Sequence, residues 1–192
     1  MKKDIILAGV GGQGILTIAA IIGHAALESG LFVKQSEVHG MSQRGGDVQS
    51  HMRISDKEIA SDLIPGGKAD MIISVEPMEA LRYLPMISPD AWVITNNTPF
   101  INIPNYPDIA DVIDTLEKLK NCIVIDADNL AKELQSPKSA NIIILGAAAS
   151  HLGIPLNIIE QSIRIIFGKK GEEIVNANIA ALRKGSELSI NN

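Results

Sequence analysis

Residues 4–35 read DIILAGVGGQGILTIAAIIGHAALESGLFVKQ, and this stretch decides the fold class. Residues 4–8 are a short aliphatic run ended by glycines, as a buried strand requires. Residues 15–28 carry apolar side chains at helical spacing until Gly30 stops them, and residues 31–35 return to an extended pattern. Strand, glycine loop, helix and strand make a βαβ unit, which predicts a parallel strand pair joined by a right-handed crossover. The expected fold is α/β: three layers, Rossmann-like, with a mainly parallel sheet.

Next comes SEVHGMSQRGGDVQSHMRIS at residues 36–55, a polar, glycine-bearing loop running into the alternating positions Val48, Ser50, Met52 and Ile54. A turn at residues 55–57 predicts a hairpin-like insertion after the second strand, closing at about residues 59–64. Pro65-Gly66-Gly67 breaks the chain. Beyond it the pattern predicts a strand at 69–75, a helix at 76–86 with Pro77 in its first turn, and a strand at 91–95. NNTPFINIPNYP at 96–107 is too rich in Asn and Pro for regular structure and reads as a surface loop. A helix at 109–119 and a strand at 122–126 follow. Residues 127–192 are mostly helical, with helices at 129–134, 139–152, 155–167 and 171–185. No repeat or low-complexity linker divides the chain, so residues 1–192 are expected to form a single domain.

Apolar residues make up 46% of the 192 and aromatics only 3%, which calls for an aliphatic core and excludes global disorder. A formal charge of −5 supplies no basic face for a polyanion, so no nucleic-acid partner is expected. Cys122 is the only cysteine, which rules out an internal disulfide, a cysteine-type zinc site and a cysteine-ligated iron–sulfur cluster within the sequence; any cluster belongs to a partner. The opening MKKDIILAGVGG passes straight into glycines with no small-residue cleavage site and reads as the first strand of a cytoplasmic protein. The longest apolar run, 142–149, is far short of the roughly 20 residues that span a bilayer. It is a buried helix or strand, and no membrane span is expected.

Two constellations have the composition of a site. The first is GVGGQG, where Gly9, Gly11 and Gly14 satisfy G-x-G-x-x-G between a strand and a helix. With Gly12 and Gln13 they form a possible phosphate or anion loop, since bare N–H groups at a helix N-terminus attract negative charge. The same glycines also serve if they only permit a close strand-to-helix turn. A dinucleotide site further needs an acid at the end of the second strand. Glu28 falls on the helix; Glu37 lies just past the strand, a better place, but inside a polar loop. Gln13 sits at the loop's crest, where its amide can both donate and accept.

The second is EVHGMSQRGG at residues 37–46, which gathers Glu37, His39, Ser42, Gln43 and Arg44 before Gly45 and Gly46. A guanidinium beside two glycines can offer its fork to a carboxylate or phosphate while the glycines let another body approach. In the plainer reading His39 caps a strand and Arg44 pairs with Glu37 or Asp47. His24 and His151 read as packing residues on helices, Asp126 and Asp128 as a cap at a strand end, and Glu172 and Glu173 as a solvated helix start. No metal-ligand spacing, nucleophile elbow or Walker loop is present.

Taken together, GVGGQGILT at residues 9–17 and EVHGMSQRGGDVQSHMRIS at residues 37–55 resemble the paired signatures of the gamma-type domain of the 2-oxoacid:ferredoxin oxidoreductases. The form EVHGMSQRGG is most similar to that of the indolepyruvate-type small subunits of that family, and the likeness spans almost the whole chain. The resemblance implies a large partner subunit carrying thiamine diphosphate and iron–sulfur clusters, in a complex that converts arylpyruvates and CoA to aryl-acetyl-CoA and reduces ferredoxin. This chain would hold no cofactor and be inactive alone. Gly11, Gly12, Gln13, His39, Gln43, Arg44 and Gly45 carry over as an interfacial surface, with Glu37, Ser42 and Gly46 beside them and no proton-transfer role assigned to any. Both loops should then lie side by side at one end of the parallel sheet, as a wall that orders CoA or the substrate anion and excludes water. The rivals are a free-standing NAD(P)- or flavin-binding Rossmann oxidoreductase, and an assembly module with no part in the active site. On the subunit reading Arg44→Ala lowers turnover of the assembled complex without unfolding the subunit, whereas unchanged turnover counts against it.

Overall fold

The computed structural model of the protein describes residues 1–39, 45–101 and 103–190. It contains a six-stranded sheet with helices on both faces. Strand β1 (Lys2–Val10) is buried from Asp4 to its end and leads through the glycine loop into α1 (Ile15–Glu28). Strands β2 (Phe32–His39) and β3 (Asp47–Ser55) come next, followed by β4 (Ala69–Ser74), α2 (Pro77–Arg82) and β5 (Ile87–Asn96). The chain continues with α3 (Ile109–Glu117), β6 (Cys122–Ile125), α4 (Ala127–Glu133), α5 (Ala140–Leu152), α6 (Leu156–Phe167) and α7 (Glu172–Ile190). Helix α2 stops earlier than its apolar pattern suggests, and residues Leu84–Met86 form a separate 3₁₀ turn. Pro85, lacking an N–H, cannot continue the α ladder.

The strand order β2-β3-β1-β4-β5-β6 corrects one expectation. The strands flanking α1 are not neighbours: β3 lies between them, antiparallel to both, from Lys2↔Ser55 to Val10↔Asp47 on one side and from Phe32↔Ser55 to His39↔Val48 on the other. The reason lies in what each strand can bury. On β3, Met52 and Ile54 are wholly enclosed, as an interior position demands, while β2 exposes Phe32 and Val38 and carries Lys34, which suits an edge. Only β1, β4, β5 and β6 run as a parallel set.

The hairpin partner expected at residues 59–64 is likewise not a strand. Those residues are irregular and are held by side chains of the β2–β3 ribbon instead. Arg53 Nη1 donates to the carbonyls of Ser61 (3.1 Å) and Leu63 (3.0 Å), Lys34 Nζ donates to that of Ala60 (3.2 Å), and Ile64 N–H donates to His51 Nδ1 (3.0 Å).

Strand alternation sorts the core into two layers. Ile5, Leu7, Met71, Ile73 and Ile94 face α1 and the C-terminal helices, while Ile6, Ala8, Ile72 and Val93 face α2 and α3. The apolar run at residues 142–149 is helical and forms the buried body of α5, enclosed on all sides. Helix α7 passes Gly185, where the sequence suggested a stop. That glycine serves a helix crossing: a Cβ on it would lie 1.9 Å from the Ile143 carbonyl oxygen, and one on Gly146 would lie 2.1 Å from that of Leu182. Backbone meets backbone here, so neither residue can grow. Gly185→Ala should lower the free energy of unfolding by about 1–3 kcal/mol in denaturant titrations. The control Gly168→Ala, at φ −53° with open space around it, should leave stability within a few tenths of a kcal/mol or raise it.

Candidate functional site

Because β3 is antiparallel to β1, its first residue lies at the same edge of the sheet as the last residue of β1, with Val10 opposite Asp47. The pairing continues past the ladder: Gly11 N–H donates to the Gly46 carbonyl (2.8 Å), and Gly45 N–H donates to the Gly11 carbonyl (3.4 Å). The glycine loop and the end of the RGG segment therefore form one backbone unit at the carboxyl ends of the parallel strands, where open α/β folds place ligands. Gly45, at φ +80°, has the left-handed backbone that disfavours a side chain.

The residues of the first motif have separate places. Gly9 is buried in β1, and a Cβ on it would press to 2.5 Å from both Ile15 Cδ1 and Val75 Cγ2, so its small size serves packing. Gly12, Gln13 and Gly14 line a cleft of about 1040 Å³. Gln13 turns its Oε1 back to accept from Val10 N–H (2.8 Å), closing the end of β1. Gly14, the N-cap of α1 at φ +83°, presents a carbonyl that accepts from Thr17 N–H (3.1 Å) and from Asn141 Nδ2 (3.1 Å). The first turn of α1 has no acidic residue and no side-chain cap, so nothing within the helix itself offsets the positive end of its dipole.

The far walls of the cleft come from the C-terminal helices and include Asp128, Lys138, Asn141 and Lys170, none of which sequence reasoning placed in the site. Asp128 is held by Asn96 Nδ2 (2.7 Å), whose Oδ1 accepts from Ala127 N–H (3.1 Å); Asp126 beside it caps α4, accepting from Asn129 N–H (3.3 Å). Lys170 stands over the Phe167 ring at 5.1 Å. No local motif marks these positions, because packing alone carries them to the glycine loop.

In the second motif, Glu37 lies on β2 opposite Ser50, with Gln35 Nε2 3.5 Å from its Oε2, and His39 ends β2 opposite Val48. Ser42, Gln43 and Arg44 lie outside the described residues. Since β3 separates β2 from β1, Glu37 does not occupy the place beside the glycine loop that a ribose-binding acid takes in a dinucleotide fold. A buried carboxylate follows β4: Glu76 accepts from Glu79 N–H (2.8 Å), from Phe100 N–H (3.3 Å) and from the Tyr106 hydroxyl, tying α2 to those two residues beyond β5. Burial and this carboxylate raise the Tyr106 pKa well above the usual phenol value. Burial raises the Glu79 carboxyl too, against the pull of Arg82.

The remaining titratable residues serve the scaffold. His24 Nδ1 is 3.0 Å from Ser162 Oγ, and the His151 ring stacks on Trp92 at 4.0 Å. Cys122 begins β6, and its thiol is pushed up to about 11 by burial. Among the described residues no three His, Cys, Asp or Glu side chains cluster as metal ligands, and no helix is long and apolar enough to cross a membrane.

The layered α/β sheet, with its glycine loop and a backbone-paired second loop over an open cleft, defines a Rossmann-like class of domain. Within that class, the chain belongs to the pyruvate ferredoxin/flavodoxin oxidoreductase family, whose model matches residues 4–188. It is 36% identical to indolepyruvate oxidoreductase subunit IorB of Archaeoglobus fulgidus, over 99% of this chain and 96% of that protein. Identity to the subunit of the same name from Methanothermobacter thermautotrophicus is also 36%, over 96% of each. Among solved structures, the pyruvate oxidoreductase subunit PORC of Thermotoga maritima superposes with a TM-score of 0.74 at 24% identity, covering 97% of this chain and 96% of that one. The 2-oxoglutarate:ferredoxin oxidoreductase of Magnetococcus marinus gives a TM-score of 0.79 at 24% identity over all of this chain but only 31% of that longer polypeptide. At such identity the superpositions establish the fold.

His51 generates a pH prediction. Since Ile64 N–H donates to Nδ1, that nitrogen is bare and the ring is neutral, and burial lowers its pKa below the ordinary 6.5. The unfolded chain therefore binds more protons just below pH 6.5, so stability is full above that value and is lost as pH falls toward the lowered native pKa. His51→Gln should show a smaller loss of stability between pH 7.5 and 5.5 than the parent in urea titrations; an equal loss would assign the effect to other groups.

Proposed function

We propose that this chain is the small subunit of an indolepyruvate:ferredoxin oxidoreductase, a complex that oxidatively decarboxylates arylpyruvates to aryl-acetyl-CoA and passes the electrons to ferredoxin. The observation that carries the reading is the backbone pairing of Gly11 with Gly45 and Gly46, which joins the two family signatures into one surface beside the cleft. Full-length likeness to the IorB subunits supports the choice of substrate class.

On this reading the large partner holds thiamine diphosphate and the iron–sulfur clusters, which supply the carbon nucleophile and the electron path. This chain's part is positional. Its single cysteine, half-buried in β6, falls short of the four thiolates that a typical cluster takes. The loop unit formed by residues 11–14 and 45–46, with Glu37, His39, Ser42, Gln43 and Arg44 leading into it, closes the partner's active site and shields the reacting carbon from water. The cleft receives coenzyme A. Its phosphates meet the ammonium groups of Lys138 and Lys170, while its thiol extends toward the partner. The NAD(P) or flavin alternative loses its geometric basis, because the strand that would carry the ribose-binding acid is not adjacent to β1.

Purification of the tagged chain from its native cells should bring down a large cysteine-rich protein. The pair should reduce ferredoxin only when given indolepyruvate and CoA together. A chain that oxidises substrate alone, or that tightly binds NAD(P) or a flavin, refutes the reading. Gly45→Val, which forces a branched side chain into a left-handed backbone at a cost of about 1–2 kcal/mol, should reduce turnover of the complex at least several-fold while the subunit stays folded by circular dichroism.

A further inference from the structure

Two side-chain amides at the mouth of the cleft have fixed and opposite polarity. Gln13 uses its Oε1 to accept from Val10 N–H at 2.8 Å. Turned the other way, its NH₂ group would face that N–H, donor against donor, so the only end Gln13 has left for the cleft it lines is the Nε2 group, a donor. Asn141, reaching across from α5, uses its Nδ2 to donate to the Gly14 carbonyl at 3.1 Å. The reverse orientation would set oxygen against oxygen, so Asn141 keeps its Oδ1 free to accept, beside the second hydrogen of its Nδ2. It is also seated closely: a Cβ on Gly14 would fall 2.4 Å from Nδ2, so the absence of a side chain there is what admits the asparagine.

We propose that Gln13 and Asn141 together read a neutral secondary amide in the ligand, its carbonyl accepting from Gln13 and its N–H donating to Asn141. A phosphate has only acceptors to offer and would meet the Asn141 oxygen unfavourably, so the phosphates lie further along, toward Lys138 and Lys170 on the other walls. The ligand class is an acyl-carrier thiol with an amide-bearing arm, of which pantetheine is the smallest example. The inference rests on the reading that the cleft receives coenzyme A, and it adds which part of that molecule the glycine loop recognises.

Gln13→Glu tests it with little disturbance, since a glutamate keeps the oxygen that accepts from Val10 N–H and replaces only the donor end. Binding of coenzyme A, pantetheine and adenosine 3′,5′-bisphosphate to the full chain is measured by calorimetry, at a salt concentration where repulsion fades beyond about 8 Å. The variant should bind coenzyme A and pantetheine at least tenfold more weakly, with bisphosphate affinity and melting temperature unchanged. Equal weakening of all three ligands would mean that Gln13 faces an anion, which overturns the proposal. Unchanged pantetheine binding by the variant overturns it as well, while leaving the coenzyme A reading standing. If the parent chain binds none of the three, that reading falls and the amide proposal with it.

Discussion

The antiparallel pairing of β3 with β1 is the constraint on which the rest of the site depends. It runs the full length of both strands and is pinned at each end by a different interaction. At the amino end of β1, Asp4 is fully buried and is neutralised by Arg53 of β3, Nε to Oδ1 at 2.8 Å and Nη2 to Oδ2 at 3.1 Å, with Lys2 adding a contact at 2.7 Å. Removing one partner of such a pair typically costs about 3–5 kcal/mol, because the remaining charge cannot leave. At the carboxyl end the ladder runs on into the Gly11–Gly46 hydrogen bond. The ion pair thus fixes a register whose other end places the two signature loops in contact.

A second dependence links the C-terminal helices to the cleft. Helix α5 is enclosed by the sheet and by its neighbours, and it reaches its depth because Gly146 and Gly185 let α5 and α7 cross backbone to backbone. That depth carries Asn141, 127 residues along the chain, to the Gly14 carbonyl. The same packing brings the end of α6 and the start of α7, with Lys170, to the opposite wall. The cleft is thereby a product of helix packing against a glycine loop, and strain at the crossing would be felt at its mouth.

The groups lining the described cleft suit the positional role proposed for the chain. The cleft is lined by amides, lysines, two carboxylates and the backbone of the glycine loop, which can orient and screen a ligand. Two histidines serve the scaffold: buried His51 holds residue 64 and half-buried His151 stacks on Trp92. The buried carboxylate of Glu76 fastens α2 to Phe100 and Tyr106. Stabilisation of this kind acts through position and desolvation, which is what a wall supplied to another subunit's centre has to offer.

Much of this was legible in the residues themselves. Hydrophobic period and stop signals placed nearly every helix and strand. Pro77 marked the first turn of α2, Asp126 the cap of α4, and the Asn- and Pro-rich stretch a loop over 97–101 and 103–107, because these are local properties of the backbone. The two glycine-bearing signatures, and through them the family, were also in plain sequence. Strand adjacency was not, since alternation says which face a residue takes but nothing about which strand lies beside it. That β3 enters between β1 and β2 was decided by which strand could be buried on both faces, a property of the assembled sheet. Gly185 looked like a helix stop and is a crossing point; Asp128 looked like part of a cap, Asn141 like an ordinary helix residue and Lys170 like a residue between helices, and all three line the cleft. Their roles depend on contacts between segments far apart in the chain, which no local pattern records and only the packed tertiary structure sets.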